Sequence, residues 1–581
     1  MPSAVRALDQ VRAKLTAKGE PFETCDIMVR GVDYVSWKHA PENLVEILER
    51  SRHYGEREFI VHQDQRITFG DHYALAATMA QRLVGLGVTP GDRVAIAARN
   101  LPQVVTTFWG ALGAGAIIAP LNAWWTSEEL AFGLNDSGAS VLILDEERLA
   151  RLRKQFIRLR QLRHIVVIGN NPQQAADLGA PHETITLHDF REFLGAVNPA
   201  ATLPGITIRP DDDATLLYTA GTTSRPKGAI GTHRNAIQGV MSLKYATALQ
   251  DLVSGRSDHG THEITLLNIP LFHVTGALAG LVAHTVQGNT LVTMRHFDAG
   301  RALALIERER VTTIGGVPTI VQQLLAHPDV RKFDLSSVRS VSYGGAPAPE
   351  SLPRRVAALL PRAIISNSYG LTETSALVSQ ISGSHYLEQP TSCGFVVPVC
   401  EVAIVPESFD GSAPSKECCC ETGVAGELWV KGPGVVRGYW NKPQATTQAF
   451  SQGWVRTGDI ARIDDAGLIF IVDRSKDMII HRGESVYPSI VENEILQHPS
   501  VAECAVVGLS NDEGDEDVVA VVVLREEGLA SIQAIADFVR PRVTTFEMPS
   551  RFYLRPFALP RNAQLKVLKR ELREALTHEK L

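Results

Sequence analysis

Short apolar runs alternate along the chain with segments of helical periodicity. The runs predicted as strands cover residues 93–98, 140–144, 164–168, 264–269, 290–294, 312–317 and 340–343. Continuous apolar strands separated by helices are typical of parallel sheets that are covered by helices on both faces. The pattern therefore predicts an α/β fold, with a large N-terminal domain of parallel-rich sheets flanked by helices.

The pattern changes near Asp473. Beyond this residue, apolar spacing predicts strands at 478–480, 503–508 and 517–524, and helices at 489–497, 531–539 and 569–578. This order indicates a small α+β domain of about a hundred residues, a common domain size. We place the N-terminal domain at 1–473 and the C-terminal domain at 474–581.

Composition narrows the possible partners and compartment. The chain has 581 residues, 44% of them hydrophobic and 21% charged, so a large core is expected. A net charge of -7 gives no reason to expect nucleic acid or an anionic membrane as a partner. Seven cysteines, three of them adjacent, do not suggest a disulfide framework and favour a reducing compartment. We expect cytoplasmic location; the C-terminal Glu579-Lys580-Leu581 matches the peroxisomal Ser-Lys-Leu signal only loosely.

One apolar stretch approaches the length of a membrane span. Residues 108–125 carry no charge, but Gly110, Gly113, Gly115 and Pro120 interrupt them. A buried helix followed by a strand explains this stretch better. No signal peptide or transmembrane segment is expected.

A loop rich in small and hydroxylated residues follows the strand that ends at Tyr218. Gly and Thr let backbone N–H groups and hydroxyls approach a phosphate chain, and one lysine supplies positive charge. The loop is not a Walker P-loop, because its lysine lies between Pro226 and Gly228. The residues expected to contact phosphate are Thr219, Gly221, Thr222, Thr223 and Lys227.

Further motifs follow in a fixed order. They are Pro270–His273, Tyr343–Pro347, Ser368–Thr374, Gly426–Leu428, Gly438-Tyr439, Gly453–Asp459, Asp473–Asp477, Gly483-Glu484, Tyr487-Pro488 and Leu559–Lys566. In letters, spacing and order, this succession resembles the adenylate-forming superfamily from about residue 45 to residue 575. That superfamily includes acyl-CoA synthetases, the adenylation domains of peptide synthetases, and firefly luciferases.

The resemblance implies an ATP site. Making an acyl adenylate brings a carboxylate to the α-phosphorus of ATP, so positive charge must neutralise two converging anions. Glu373 would bind Mg²⁺, Tyr369 would stack on adenine, and Thr372 would contact the α-phosphate. Asp459 and Arg474 would hold the ribose, and Lys566 would bridge the substrate carboxylate and the α-phosphate. The implied ATP/AMP-binding residues also include Gly345, Ala346 and Pro347, and the implied catalytic residues are Lys566, His273, Lys227, Thr372 and Glu373.

The resemblance also implies an acyl pocket, a hinge and a path for CoA. The pocket residues would be His273, Thr275, Gly276, Val317, Gly344 and Ala376. These positions include no lysine or arginine, and burying an unpaired second carboxylate is unfavourable, so we expect an apolar tail of medium or greater length. Lys476 would be the hinge about which the small, mobile domain rotates, and Gly483 and Glu484 would lie along the path of CoA.

Four positions depart from the family pattern. Ala220 and Ser224 replace a usual Ser and Gly in the phosphate loop, and Ile490 replaces a usual Glu. Leu565 replaces the Gly that normally precedes the catalytic lysine, which puts the presentation of Lys566 in question. None of the four removes a charged catalytic group.

Taken singly, each candidate residue has an ordinary structural explanation. Glu373 would be a helix N-terminal charge, Asp459 a turn former, Lys566 a solvated lysine and His273 a core histidine. Taken in order, they favour an acyl-CoA synthetase that uses ATP, Mg²⁺, CoA and a small carboxylic acid. The alternatives are an adenylation enzyme that loads a separate carrier protein or an amine, and a degenerate acyl-binding relative.

Overall fold

The computed structural model describes residues 2–169, 185–219, 225–255, 262–481, 484–511, 515–525, 530–562 and 565–577, with side chains from residue 8 onward. The strands, in chain order, are β1 (Thr24–Val29), β2 (Val32–Trp37), β3 (Glu58–His62), β4 (Gln65–Thr68), β5 (Arg93–Ala97), β6 (Ile117–Pro120), β7 (Val141–Asp145), β8 (His164–Ile168), β9 (Thr186–Asp189), β10 (Asp213–Tyr218), β11 (Gly228–Thr232), β12 (Ile264–Leu267), β13 (Thr290–Thr293), β14 (Thr313–Gly316), β15 (Ser340–Gly344), β16 (Ile364–Tyr369), β17 (Ser379–Ser382), β18 (Phe395–Val396), β19 (Glu401–Val405), β20 (Gly426–Lys431), β21 (Phe450–Ser451), β22 (Trp454–Ile463), β23 (Ile469–Arg474), β24 (Ile479–His481), β25 (Glu484–Val486), β26 (Val501–Ser510), β27 (Glu516–Leu524) and β28 (Arg551–Leu554).

Helices connect most of these strands. The α-helices are Pro2–Leu15, Leu44–Ser51, Phe69–Gly85, Pro102–Gly113, Ser127–Ser137, Glu146–Leu152, Phe190–Leu194, His233–Val253, Ala283–Gln287, Ala299–Arg308, Pro318–Ala326, Leu352–Leu359, Gly383–Glu388, Pro443–Ala449, Pro488–Leu496, Ile532–Val539 and Lys569–Thr577. The 3₁₀-helices are Arg52–Tyr54, Arg153–Arg158, Val330–Lys332, Thr372–Thr374, Lys416–Cys418 and Ser475–Asp477, and Thr275–Val282 is a π-helix.

Two large sheets form the N-terminal domain. Within the described residues, the first has the order β11-β10-β6-β5-β7-β8-β9 and the second the order β18-β17-β16-β15-β14-β12-β13-β3-β4. Their central pairs are parallel, and antiparallel pairs occur at the edges, namely β10–β11, β3–β4, β16–β17 and β17–β18. The predicted parallel-rich α/β fold is confirmed.

The largest apolar core, here called the central cluster, draws on both sheets. It combines Ile96 and Ile118 of the first sheet with Leu267 and Leu291 of the second. Helices Phe69–Gly85, Pro102–Gly113 and His233–Val253 also contribute to it. An outer cluster, which includes Ile314 and Tyr343, covers the other face of the second sheet.

Several predicted strands end one or two residues away from the observed positions. The predicted strand 264–269 ends at Leu267, and Pro270, which has no N–H to donate to a neighbouring strand, prevents the ladder from continuing beyond residue 269. The predicted strand 312–317 ends at Gly316, because Val317 is the N-cap of the helix Pro318–Ala326. These are corrections of strand ends and not of the sheet.

A third sheet was not predicted. Strands β19 to β23 pair antiparallel in the region between residues 401 and 474, with the polar segment 406–423 between β19 and β20. The long strand β22 pairs with β20 on one side and with β23 on the other. This sheet places the motifs of β22 and β23 side by side.

The C-terminal residues pack into cores of their own. Strands β26, β27 and β28 form one sheet, and β24 and β25 form a hairpin. Helices Pro488–Leu496, Ile532–Val539 and Lys569–Thr577 agree with the predicted helices to within a few residues. Two apolar clusters, one around Val506 and one around Val507, draw only on residues from Ile479 onward. The small α+β domain is thus confirmed.

The uncharged stretch 108–125 is internal structure. It ends the helix Pro102–Gly113 and continues into β6, and most of its residues are buried. In the described ranges, no helix combines the length and the apolar character that crossing a membrane requires. All seven cysteines fall within these ranges, and each is a free thiol.

Candidate active site

The phosphate loop is closed at its base by β10 and β11. Tyr218 pairs with Gly228, and the N–H of Thr219 donates to the carbonyl of Lys227 at 2.9 Å. The ammonium of Lys227 lies 4.9 Å from the centre of the Tyr439 ring. The base of the hairpin therefore holds Thr219 and Lys227 together. Gly221, Thr222 and Thr223, with the departures Ala220 and Ser224, lie outside the described residues.

Tyr439 links this loop to the candidate metal ligand. Its hydroxyl donates a hydrogen bond to Oε1 of Glu373 at 2.7 Å, while its ring faces Lys227. Glu373 belongs to the 3₁₀-helix Thr372–Thr374, and its carbonyl accepts from the N–H of Val436 at 2.9 Å. Tyr439 therefore contacts both the ammonium of Lys227 and the carboxylate of Glu373. The sequence showed Tyr439 as a motif residue but assigned it no role.

The chain bends sharply after that 3₁₀-helix. Ser375 and Ala376 have φ values of 53° and 97°, which residues with a Cβ rarely adopt. Two glycines make room for this bend: a Cβ at Gly239 would lie 1.9 Å from the Ser375 carbonyl oxygen, and one at Gly370 would lie 1.4 Å from that of Ala376. Strained backbone of this kind clusters at functional sites.

Asp459 is the buried carboxylate of the site. It pairs with Arg474 across β22 and β23, with Nε of Arg474 at 2.5 Å from its Oδ1. The hydroxyl of Tyr369 donates to its Oδ2 at 2.7 Å. The pKa of Tyr369 is raised by burial and by the negative charge of Asp459, while that charge raises the pKa of Arg474. Both carboxylate oxygens are therefore already hydrogen-bonded within the chain.

Lys566, in the C-terminal domain, is influenced by the charge of this carboxylate. Burial, and then the charge of Arg474, lower the pKa of Lys566 to about 8, while the charges of Asp459 and Glu373 act in the opposite direction. The charges of Arg474, Asp459 and Glu373 thus all act on the ammonium of Lys566, and the roles of these four residues in binding ATP stay predictions.

His273 lies near the same lysine. It follows Phe272 in the turn before the π-helix Thr275–Val282, and their ring centres are 4.3 Å apart. Burial, and then the charge of Lys566, lower the pKa of His273 to about 3. The imidazole is therefore neutral at physiological pH and does not act as a second cation, while its place in the acyl pocket stays a prediction.

Two glycines of the predicted acyl pocket are needed for close backbone contact. A Cβ at Gly276 would lie 2.1 Å from the carbonyl oxygen of Pro270, and one at Gly344 would lie 2.3 Å from that of Ser368. Thr275 is half-buried at the start of the π-helix. Close backbone contacts therefore fix Gly276 and Gly344 in place, and their part in an acyl pocket stays a prediction.

The remaining pocket candidates divide between the two clusters. Ala376 packs against the central cluster, whereas Val317 packs against the outer cluster. The structure therefore does not group Val317 with Ala376.

Gly315 lies beside open space that sequence reasoning did not identify. It lies in β14, inside the second sheet, yet it is half-buried and a Cβ added there would meet nothing within 4 Å. Its neighbour Ile314 faces the outer cluster, so alternation points Gly315 to the opposite face, where Leu267 contacts the π-helix at Gly280. The signal in the sequence is the pair of glycines inside an apolar strand.

The other predicted residues lie at the surface or in turns. Gly345 has a φ of 73° and is exposed, Ala346 is half-buried and Pro347 is exposed. Lys476 is exposed in the 3₁₀-helix Ser475–Asp477, and Glu484 is exposed at the start of β25. Gly483 lies outside the described residues.

The donor set at Glu373 fits Mg²⁺ but not a metal held by protein ligands alone. Among the residues with described side chains, no group of three or more His, Cys, Asp or Glu is placed to hold a metal ion. Mg²⁺ is commonly bound by one or two carboxylates together with substrate phosphates and water. Oε2 of Glu373 would supply the protein ligand, because Oε1 already accepts from Tyr439.

Comparison with known proteins identifies the family of this chain. The AMP-binding enzyme family matches residues 47–440, and the AMP-binding enzyme C-terminal domain matches residues 490–566. Feruloyl-CoA synthase of Amycolatopsis sp is 32% identical over 513 residues, which cover 88% of this chain and 94% of that protein. Long-chain-fatty-acid–CoA ligase FadD13 of Mycobacterium tuberculosis is 33% identical over 511 residues, 88% of this chain and 93% of that protein.

A solved structure of similar fold is o-succinylbenzoate CoA synthetase (MenE) of Bacillus subtilis. In complex with the acyl-adenylate intermediate OSB-AMP, it matches with a TM-score of 0.73 and 28% identity, covering 92% of this chain and 98% of that chain. In complex with ATP and magnesium ion, the same protein matches with a TM-score of 0.72.

The fold and the site define an adenylate-forming enzyme, and the chain belongs to the AMP-binding enzyme family. Its relatives are named CoA ligases and CoA synthetases. It is therefore an acyl-CoA ligase of the AMP-forming acid–thiol class.

Proposed function

We propose that this ligase activates a fatty acid of medium or long chain as acyl-AMP and then transfers the acyl group to CoA. The observation that carries the proposal is the buried pair of Asp459 and Arg474, with Nε of the arginine 2.5 Å from Oδ1, whose charges also act on the ammonium of Lys566. In the proposed function, Asp459 holds the nucleotide, Lys566 contacts its α-phosphate and Glu373 binds the metal ion.

The chemistry follows from the charges. An oxygen of the substrate carboxylate attacks the α-phosphorus of ATP, the bond to the bridging oxygen breaks, and pyrophosphate leaves. The ammonium of Lys566 stabilises the negative charge that builds up between the two anions. Mg²⁺ supplies charge neutralisation of the phosphates when it is bound. In the second step the thiol of CoA attacks the acyl carbonyl and AMP leaves.

The surroundings of Gly315 favour an apolar tail. The π-helix Thr275–Val282 on that face is entirely uncharged, and its Ala277, Leu278 and Leu281 belong to the central cluster. The open space at Gly315 offers room that the tight backbone at Gly276 and Gly344 does not. A charged tail would lack a partner on this helix, and an unpaired buried charge is costly.

The second step would use a different domain arrangement. We place the domains at 1–473 and 474–581, with Lys476 as the hinge. The exposed 3₁₀-helix that carries Lys476 supports this choice, because it follows β23 directly and precedes the first strand of the small domain. Rotation there would remove Lys566 and bring Glu484, with Gly483, to the path of CoA.

A pyrophosphate-release assay tests the proposal. The purified full chain receives ATP, Mg²⁺ and one acid from a panel of octanoate, dodecanoate, hexadecanoate, ferulate, o-succinylbenzoate and adipate. We expect release with the fatty acids, and CoA-dependent AMP release with acyl-CoA detected by mass spectrometry. Preference for ferulate or adipate would overturn the substrate class, and release without any CoA-dependent step would favour a carrier protein or an amine as acceptor.

A further inference from the structure

Leu565, next to the candidate catalytic lysine, has a backbone conformation that disfavours leucine. Its φ is 59°, in the left-handed region where a Cβ crowds the backbone. Glycine adopts this conformation freely. We therefore expect the side chain of Leu565 to make a contact that offsets the unfavourable backbone conformation.

The conformation is imposed by the hairpin that presents Lys566. The N–H of Leu565 donates to the carbonyl of Asn562, and the N–H of Asn562 donates to the carbonyl of Lys566, both at 2.9 Å. The N–H of Lys566 donates to Oδ1 of Asn562 at 3.0 Å, and Nη1 of Arg561 donates to the carbonyl of Leu565 at 2.7 Å. These hydrogen bonds fix the backbone conformation at Leu565, and none of them involves the leucine side chain.

The side chain of Leu565 packs against the larger domain. It contacts the outer cluster, which otherwise consists of residues between Val61 and Phe470. The other apolar residues after Ile479 that the structure assigns to clusters belong to the two C-terminal cores. Among the described residues, Leu565 is thus the apolar side chain that joins the small domain to a core of the large one.

We propose that Leu565 is a positioning residue that holds the Lys566 hairpin against the large domain in the arrangement for adenylation. The inference rests on the proposed function, because it assigns this arrangement to the first half-reaction. In this structure Leu565 contacts the outer cluster while the charges of Asp459 and Arg474 act on Lys566. A rotation that carried Lys566 away would have to break this contact, so the contact stabilises the observed arrangement.

Substitutions at residue 565 distinguish the effect of the side-chain contact from the effect of the backbone conformation. Leu565→Ala removes the contact and keeps the Cβ at positive φ, Leu565→Gly removes both, and Leu565→Met keeps an apolar chain of similar size. Leu554→Ala is the matched control, since Leu554 is 41% exposed on β28 of the same domain.

The two half-reactions give the kinetic test. We expect Leu565→Ala to lower kcat/KM for acyl-AMP formation about tenfold, while thioester formation from supplied acyl-AMP is unchanged or faster. Leu565→Met should restore adenylation, and Leu565→Gly should lower it no more than Leu565→Ala does. A parallel fall of both half-reactions, or wild-type adenylation in Leu565→Ala, would overturn the proposal.

Hydrogen exchange tests the same contact without any substrate. Peptides that cover residues 560–568 should exchange faster in Leu565→Ala than in the wild type, and should be unchanged in Leu554→Ala. Equal exchange in all three proteins would overturn the proposal. If the wild type activates no acid, the proposed function fails, yet this measurement still decides whether Leu565 holds the hairpin in place.

Discussion

Asp459 and Arg474 face each other across neighbouring strands, and Nε of the arginine lies 2.5 Å from one oxygen of the buried carboxylate. Tyr369 occupies the other oxygen through its hydroxyl. A ribose that binds Asp459 must therefore share the carboxylate with these two donors or displace one of them. Each carboxylate oxygen has two lone pairs, so sharing is possible without loss of the internal pair.

Asp459→Ala is expected to weaken ATP binding in both half-reactions. The change removes a charged acceptor, which is worth about 1.5–3 kcal/mol per hydrogen bond, and leaves Arg474 without its partner. Calorimetric titration with ATP measures the loss. Asp465→Ala, at an exposed position in the following turn, is the control. Unchanged affinity in Asp459→Ala would contradict the ribose assignment.

Lys566→Ala is expected to impair acyl-AMP formation far more than thioester formation from supplied acyl-AMP. The ammonium acts only while two anions converge, so its loss should cost about 3 kcal/mol or more in the first step alone. Stopped-flow pyrophosphate release and acyl-CoA formation measure the two steps separately. Lys332→Ala, at a largely exposed lysine, is the control. Equal losses in both steps would show that Lys566 has a different role.

The same lysine predicts a pH dependence. Burial and the charge of Arg474 lower the pKa of Lys566 to about 8, so the ammonium predominates below that pH and loses its proton above it. The kcat/KM for adenylation should therefore fall as pH rises through about 8 in the free enzyme. Lys566→Arg should move this fall to higher pH, because a guanidinium stays charged. A wild-type profile that is flat to pH 10, or an unshifted fall in the variant, would contradict the prediction.

Lys476→Pro is expected to have the opposite effect to Lys566→Ala: it should spare acyl-AMP formation and impair thioester formation. Proline fixes φ near the value of a 3₁₀-helix, which is the conformation observed at Ser475–Asp477. The first turnover of pyrophosphate release should survive, and acyl-CoA formation should collapse, because rotation requires large backbone changes at a few residues. Quench-flow measurement of pyrophosphate and acyl-CoA tests this prediction. Acyl-CoA formation at the wild-type rate would place the hinge elsewhere.

Glu373→Gln is expected to raise the Mg²⁺ concentration needed for half-maximal pyrophosphate release roughly tenfold, since it replaces a charged oxygen ligand with a neutral one. Glutamine still accepts from the hydroxyl of Tyr439, so the local hydrogen bond survives. Tyr439→Phe is the complementary variant, because it keeps the carboxylate and removes the donor. If the two variants have the same Mg²⁺ requirement, Glu373 acts through the hydrogen bond and not as a ligand.

Apolar runs predicted the parallel sheets, and the motifs identified Lys566, Asp459 and Glu373 as site candidates, because both signals are local in the sequence. The hydrogen bond from Tyr369 to Asp459 was not predictable in this way. It depends on the third sheet, whose antiparallel register sets β22 beside β23. The open space beside Gly315 was not predictable for a similar reason, since only the packing on each face of β14 distinguishes Gly315 from Gly316.

The contact of Leu565 shows a further limit of sequence reasoning. The sequence identified it as a departure from the family pattern, but not the φ of 59° or the apolar partner in the other domain. Both depend on how the hairpin closes and on where the small domain rests. The sequence therefore showed that leucine replaces the usual glycine at residue 565, but it did not show the contact with the outer cluster that compensates for the unfavourable backbone conformation.

The bend at Ser375 and Ala376 limits how the acid specificity of this enzyme can be redesigned. The bend joins the turn that carries Glu373 to the residue that packs against the central cluster, and Gly239 and Gly370 leave it no room to shift. A larger residue at 376 is therefore expected to displace the turn that carries Glu373, so a variant made there to change the preferred acid should alter nucleotide affinity as well. Gly315 has open space beside it and lies on a separate strand. Under the proposed fatty-acid activity, we expect a substitution at Gly315 to change chain-length preference without changing ATP affinity.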